Sequence, residues 1–326
     1  MRVLVLHSDV APGAPPDELD TLVTAKAVAD ALKALGHEAF ELAFDPEPSE
    51  LKSAIANLRP DIVFNMVESV HGDGALAMLP PAMLEKLGVA YTGCNAACIA
   101  ASGDKVLAKR MMRAAALPTG DWAEPPAWQG LRADQLYVVK SVTEDASLGL
   151  DDGAVVRGDA VPPRAHQSAE KYGGRWFAEA YLEGREFNVA VLEDEGGPRV
   201  LHIPEMRFVS WKEDRPRIVG YAAKWDESCA DAKNTVRAFG IESEEPALAK
   251  SLADIALKTW HLLGMRGFAR IDFRIDANER PMILEANPNP CLEPSAGFAA
   301  AAAQGGLSYA ALIERILKSA ETRCRI

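Results

Sequence analysis

No apolar run in the 326-residue chain approaches the roughly 18 residues needed to span a bilayer. The N-terminus, MRVLVLHSD, has one Arg and a short apolar stretch, without the long hydrophobic region or cleavage site of a signal peptide. That segment reads as a first buried strand, and a cytoplasmic protein is expected. Basic residues are few: 35 Lys and Arg stand against 47 Asp and Glu, for a net charge of −12. Broad binding to nucleic acid or anionic membrane needs a basic face, so neither partner is expected, although a small anionic ligand is not excluded. The five cysteines (Cys94, Cys98, Cys229, Cys291 and Cys324) are scattered and form no repeated CxxC pair. They suggest neither a zinc site nor a disulfide framework, and Cys94 and Cys98 read as small buried hydrophobes. The loop after the first strand, HSDVAPGAPPDELD, lacks GxGxxG, which makes a hydride-transfer enzyme a poor fit.

What is present is an ordinary globular composition, 48% hydrophobic and 25% charged, at a length suited to two or three domains. The first third alternates between two periods. Residues 3–7 form a β-branched run, and 21–35 carry apolar residues at helical spacing up to Gly36. HEAFELAF is a strand, 49–58 a helix with Ser49 as N-cap, and IVFNMV a strand. MLPPAMLEKLG and VAYTG add a helix and a strand. This order implies parallel strands with right-handed crossovers, a Rossmann-like sheet ending near residue 94. Further on, a helix is expected over 102–116 with Ser102 as its cap, and a strand at YVVKSV. A polar loop, TEDASLGLDDG, follows, and then two strands turning at Glu183-Gly184. Residues 206–240 read as a long functional loop. A helix over 246–263, the strands FARIDFRID and PMILEAN, an Ala-rich helix and a final helix complete the chain.

The sharpest chemical signal lies in the last strand pair. Arg270 and Asp272 are two apart on one strand, as are Glu285 and Asn287 on the next, so each pair shares a face. Paired as a hairpin, the strands collect Asp272, Glu285 and Asn287 beside Arg270. Three hard oxygen donors on a rigid sheet suit magnesium, or manganese, that also bridges phosphate oxygens. The intervening residues, Phe268, Ile271, Phe273, Ile283, Leu284 and Ala286, are all apolar.

RIDFRID followed by LEANPNP resembles the metal-binding core of ATP-grasp ligases, specifically the D-alanine–D-alanine ligases. The resemblance runs in order from about Asn65 to the C-terminus. It takes in EKLGVAYTG, VVK, EAYLEGREFNVAVL and GYAAKW. It implies an α/β chain in three parts: a Rossmann-like domain (1–94), a central ATP-grasp subdomain (95–178) and a C-terminal ATP-grasp domain (179–326). ATP and magnesium would serve as cofactors, in a homodimer acting on small carboxylate and amine substrates. Carboxylate activation as an acyl phosphate, coupling to an amine and release of ADP and phosphate would follow. The alternatives are an ATP-grasp ligase joining a different amino acid or amine, and a non-catalytic nucleotide-binding regulator.

By position, Lys105 and Lys140 would contact the nucleotide phosphates, with Ser147 covering them. Glu179, Tyr181 and Leu182 would line the adenine edge, and Glu186 would accept from the ribose. Glu186 directly follows Arg185, so a surface ion pair is its competing reading. Lys224 would reach the γ-phosphate as a lid closes, and Arg270 would stabilise the tetrahedral intermediate. The substrate side departs from the family. The expected Glu–Ser–Tyr set has Ala146 at the Ser position and Trp225 at the Tyr position, and Cys291 stands at a Gly position. The backbone N–H of Cys291 could serve an oxyanion hole, and its thiol has no evident His partner as a nucleophile. Glu18 or Asp20, with Glu68 and His71, could rebuild the pocket. D-alanine with itself is therefore not expected to be the best substrate pair.

Overall fold

The computed structural model describes residues 1–321; Cys324 lies outside the described residues. The chain opens with β1 (Arg2–Ser8), α1 (Pro16–Ala34), β2 (Glu38–Phe44), α2 (Pro48–Leu58) and β3 (Ile62–Met66). The three strands form a parallel sheet in the order β2-β1-β3. Such a sheet must be covered on both faces. Val3, Val5 and Phe64 pack against α1 on one side, while Leu4, Leu6 and Val63 meet Phe44, Leu51 and Leu84 on the other.

Three local expectations are corrected here. First, α1 starts at Pro16, where proline pre-sets the first turn and Asp17 and Glu18 favour the positive helix end. Second, Ser49 is not a cap. Glu47 holds that position with Pro48 at the first helical residue, and the Ser49 hydroxyl instead donates to the Glu47 carboxylate at 3.3 Å. Third, VAYTG is not a strand but a single bridge, Val63 to Tyr91. The Thr92 Oγ1 accepts the next β3 donor, the Asn65 N–H, at 3.0 Å, so no backbone ladder continues.

Then come α3 (Leu79–Leu87), α4 (Ala96–Gly103) and α5 (Lys105–Ala114). The expected helix over 102–116 is thus two helices broken at Asp104. Asp104 is extended, and its carboxylate accepts from the Leu107 N–H at 2.9 Å as the cap of α5. Ser102 lies in the last turn of α4 instead, donating to the Cys98 carbonyl at 2.7 Å.

A four-stranded sheet, ordered β4-β7-β5-β6, comprises β4 (Trp122–Ala123), β5 (Leu136–Ser141), β6 (Val155–Arg157) and β7 (Trp176–Ala180). The helix α6 (Val161–Tyr172), unanticipated from the sequence, packs on it. The larger sheet contains β8 (Glu186–Asp194), β9 (Gly197–Val200), β10 (Glu205–Phe208), β11 (Thr235–Ala238), β12 (Phe268–Ile275) and β13 (Pro281–Asn287). Its order is β11-β10-β8-β12-β13, with β9 paired to β8. The segment 206–240 is therefore not a plain loop. It carries the end of β10, α7 (Tyr221–Trp225), α8 (Ala230–Asn234) and β11. The chain closes with α9 (Ile241–Glu244), α10 (Pro246–Leu263), α11 (Gly297–Gln304) and α12 (Tyr309–Glu321).

The position of the site follows from how this sheet is covered. Phe187, Val189, Val191, Ala269, Ile271, Phe273 and Ile283 face α10 and α5, where Leu252, Ala256, Trp260 and Met112 seal them. Side chains alternate along strands, so the residues between them face the other way, toward the small sheet. The helices α11 and α12 return to the N-terminal sheet, with Phe298, Leu312, Ile313 and Ile316 in the core of Val3, Val5 and Phe64. Among the described residues no helix is long and apolar enough to cross a membrane.

Candidate active site

The hairpin β12–β13 pairs Arg270 with Asn287 and Asp272 with Glu285. Cross-strand partners share a face, so the four expected residues stand together opposite the α10 side. Arg270 donates from Nε and Nη2 to the two oxygens of Asp272, each at 2.8 Å. Burial works against ionising Glu285. The Lys105, Lys140, Lys224 and Arg270 charges outweigh it and bring its carboxyl down to about 2. Asn287 Oδ1 accepts from the Asn289 N–H at 2.9 Å. Among the described residues no three His, Cys, Asp or Glu side chains cluster as a metal cage. Two carboxylates and an amide oxygen are an incomplete hard-oxygen set, which fits a divalent ion completed by phosphate oxygens and water. The contact with Arg270 leaves each Asp272 oxygen a second lone pair for such an ion.

Lys105 begins α5 and is buried; its Nζ donates to the Glu144 carbonyl at 2.9 Å and to Asp145 at 2.6 Å. Lys140, on β5, donates to Glu179 Oε2 at 2.8 Å. The other Glu179 oxygen pairs with Lys109, a residue that sequence reasoning missed. Lys109 lies four residues after Lys105 on the same face of α5, between the apolar Val106, Ala108 and Met112, and this spacing could have shown it. Its Nζ also donates to Thr119 Oγ1 at 2.7 Å. Burial opposes ionisation of Glu179, but the two ammoniums outweigh it and hold the carboxyl below the usual carboxylate range. The Glu179 side chain thus belongs to a buried Lys–Glu–Lys set, which leaves only its backbone for the expected adenine edge.

Glu186 is paired, but not with Arg185. Its carboxylate accepts from Arg274 Nη2 at 2.6 Å and from Nε at 3.0 Å, across the β8–β12 register. Arg185 turns instead to Glu205 and Glu245. Arg274 also donates to the carbonyls of Leu182 and Arg217, and the Arg217 N–H donates to the Tyr181 hydroxyl at 2.8 Å. Tyr181, Leu182 and Glu186 are therefore brought together, with the segment around Arg217 lying against them.

The residues after Arg217 carry the segment expected to act as a lid. Ser147 donates to the Val219 carbonyl at 2.8 Å, and the Tyr221 N–H donates to the Leu150 carbonyl at 3.0 Å. A Cβ at Gly220 would stand 2.7 Å from that same carbonyl oxygen, so only glycine permits the approach. Trp225 Nε1 donates to the Ala146 carbonyl at 3.1 Å. The Tyr221 hydroxyl donates to Asp17 on α1 at 2.6 Å, joining the lid to the N-terminal sheet region. Lys224 is exposed on α7 between these contacts.

The model of the D-ala D-ala ligase C-terminus matches residues 133–318. The chain belongs to the D-alanine–D-alanine ligase family. It is 31% identical to the D-alanine–D-alanine ligase of Moorella thermoacetica, over 97% of this chain and 98% of that protein. It is 29% identical to the Aquifex aeolicus ligase of the same name, over 97% and 100%. The crystal structure of the Bacillus anthracis D-alanine–D-alanine ligase complexed with ATP superposes with a TM-score of 0.76. It has 18% identity and covers 100% of this chain and 99% of that one, which shows a shared ATP-grasp fold.

A cavity of about 920 Å³ opens among α1, the loop after β3, the loop 143–153 and the lid. Glu18, Glu68 and Asn287 line it. Arg270, Asp272, Glu285, Lys105 and Lys140 do not line it, although Lys105 is bonded to two of its walls, Glu144 and Asp145. The cleft walls, with Asp145 and Asp20, push the Glu68 carboxyl upward, although solvent reaches it. His71 stands at a left-handed turn outside the lining. Cys291 donates its thiol to Asp20 at 3.1 Å, and burial, Glu68 and Asp20 all raise it. It is a protonated hydrogen-bond donor and a poor nucleophile. At the positions of Ala146 and Trp225 an indole-to-carbonyl bond joins α7 to the loop 143–153.

Proposed function

We infer that the protein is an ATP-dependent, ADP-forming ligase that joins two amino-acid-sized substrates, one through its carboxylate and the other through its amine. The observation that carries this is the cross-strand pair Asp272–Glu285, set on an open sheet face with Lys105, Lys140, Lys224 and Arg270 around Glu285. Asp272, Glu285 and Asn287 would hold magnesium or manganese, which neutralises phosphate charge and polarises the transferred phosphoryl group. Lys105 and Lys140 sit where they can exchange Asp145 and Glu179 for phosphate oxygens. Tyr181, Leu182 and the Glu179 backbone would line the base, and Glu186 would take the ribose.

The substrate carboxylate attacks the γ-phosphorus and ADP leaves. The amine then attacks the acyl carbon, and phosphate departs with one oxygen of the original carboxylate. Arg270 would stabilise the tetrahedral oxyanion. The lid, pinned through Ser147 and Trp225, excludes the water that would hydrolyse the acyl phosphate and brings Lys224 over it. On this reading residues 1–94, 95–178 and 179–326 are the working units of a cytoplasmic homodimer. D-alanine, the substrate in the relatives' names, is one candidate; the altered pocket at Ala146, Trp225 and Cys291 favours another amino acid in at least one position. Carboxylate labelled with ¹⁸O tests the pathway. One labelled oxygen should appear in the released phosphate, and unlabelled phosphate would refute an acyl phosphate.

A further inference from the structure

Arg237 lies close enough to Arg270 to feel its charge, and the reaction outlined above leaves it without a task. It lies on the edge strand β11, opposite Met206, which is itself opposite Glu186 and hence in the row that leads to Arg274. Cross-strand partners share a face, so Arg237 stands on the same sheet face as Arg270, Asp272 and Glu285. Its Nη1 donates to the Ser295 carbonyl at 3.1 Å. Its Nε is fully buried and has no hydrogen-bond partner among the described residues. Burial and the neighbouring Arg270 lower its guanidinium, and Glu293 only partly offsets them. The Glu293 carboxylate is already engaged, accepting from the Ser295 N–H at 2.7 Å and from the Ser295 hydroxyl at 2.5 Å. Across the same loop the Tyr309 hydroxyl is likewise buried without a partner among the described residues. A buried guanidinium N–H left unpaired is costly, and a second guanidinium close by adds repulsion. An anionic group placed there would relieve both. Arg270 is assigned to charge that develops during reaction, so Arg237 is available for charge the substrate already carries.

We propose that Arg237 is a specificity-determining residue that holds the unreacted carboxylate of the amine-bearing substrate, making the acceptor an amino acid and not a simple amine. The proposal rests on the ligase reading. A planar guanidinium suits a carboxylate through paired hydrogen bonds, which neither an amide nor an alkyl amine can reproduce. The test compares glycine, D-alanine and L-alanine with glycinamide and the two alaninamides, in wild type, Arg237→Met and Arg237→Lys. Turnover is read as kcat/KM. Binding is read separately, by titration into protein loaded with magnesium and a non-hydrolysable ATP analogue.

Wild type should favour acids over their amides by about 10- to 100-fold, mainly through KM. Arg237→Met should bring the ratio near one, and Arg237→Lys should recover part of it. Equal use and equal binding of acid and amide by wild type overturns the inference, whatever the variants do. So does an Arg237→Met protein that weakens both alike. A preserved acid preference in binding without ATP turnover would instead sink the ligase reading and leave the carboxylate role of Arg237 standing.

Discussion

The two halves of the cleft handle charge differently. On the half read as nucleotide-binding, charges are paired within the protein, all but Asp145 carried on strands and one helix: Lys105 with Asp145, Lys109 and Lys140 with Glu179, Arg270 with Asp272, and Arg274 with Glu186. On the half read as substrate-binding, Asp9, Glu18 and Glu68 line the cavity without an ion-pair partner among the described residues, beside the paired Arg164–Asp151 and Arg215–Asp152–Asp231 sets, while Arg237, outside that lining, keeps a buried N–H unpaired. The unpaired groups sit after β1, in the first turn of α1, after β3 and on an edge strand. Paired charges on a packed sheet are fixed before any ligand arrives and cost little to reorganise. Unpaired charges on loops and ends are completed by whatever ligand enters. On the proposed function, the first half serves one chemistry and the choice of reacting partners falls to the other half.

The sharpest way to break the comparison is to unpair the nucleotide side. Lys109→Met leaves Glu179 buried with one lysine and should destabilise the fold by about 3 kcal/mol in urea titration. Because the Glu179 carboxyl is depressed in the folded state, its contribution is complete above its unfolded pKa and is lost as pH falls through the lower folded value. Wild-type stability should therefore decline on acidification below about pH 4.5, and Glu179→Gln should flatten that slope.

Glu285→Gln should lower kcat by about 100-fold or more with the melting temperature little changed, since a carboxylate is removed from the phosphate-facing set. The matching change on the other half, Glu18→Gln, should act mainly on the KM of an amino substrate, by about 10-fold, leaving kcat near wild type. A large kcat effect there would erase the distinction between the halves. Trp225→Phe removes one lid hydrogen bond. It should cut coupled turnover by about 2- to 10-fold and raise the ratio of phosphate released to product formed. Smallest of all, Cys291→Ser should change kcat by less than about threefold, because a thiol held protonated takes no part as a nucleophile.

The same division explains what could be read from the chain. The Asp272–Glu285 row was legible because a period of two and apolar neighbours determine which face each residue takes. The strands β1, β2, β3, β5, β7, β8, β12 and β13 followed from hydrophobic runs long enough to show their period, whereas β4, β6, β9, β10, β11 and the helix α6 were not read. Less visible were features set by single hydrogen bonds. Asp104 displaces Ser102 as the cap of α5, and the Thr92 hydroxyl interrupts a ladder that VAYTG was expected to continue. Lys109 could have been found from its spacing to Lys105, but a lysine on an otherwise apolar helix face reads at first as solvated. Glu186 showed its acidity but not its partner, because Arg274 is adjacent only through strand register. Arg237 gave no signal, since its segment is polar and its face is set by pairing with β10.

The account stands most directly on the stoichiometry of nucleotide products. With magnesium, ATP and a panel of D- and L-amino acids, ³¹P NMR alongside product analysis should show ADP and phosphate formed in equal amounts with a new C–N bond. Release of AMP and pyrophosphate, or ATP hydrolysis that no amino acid couples to bond formation, would contradict it.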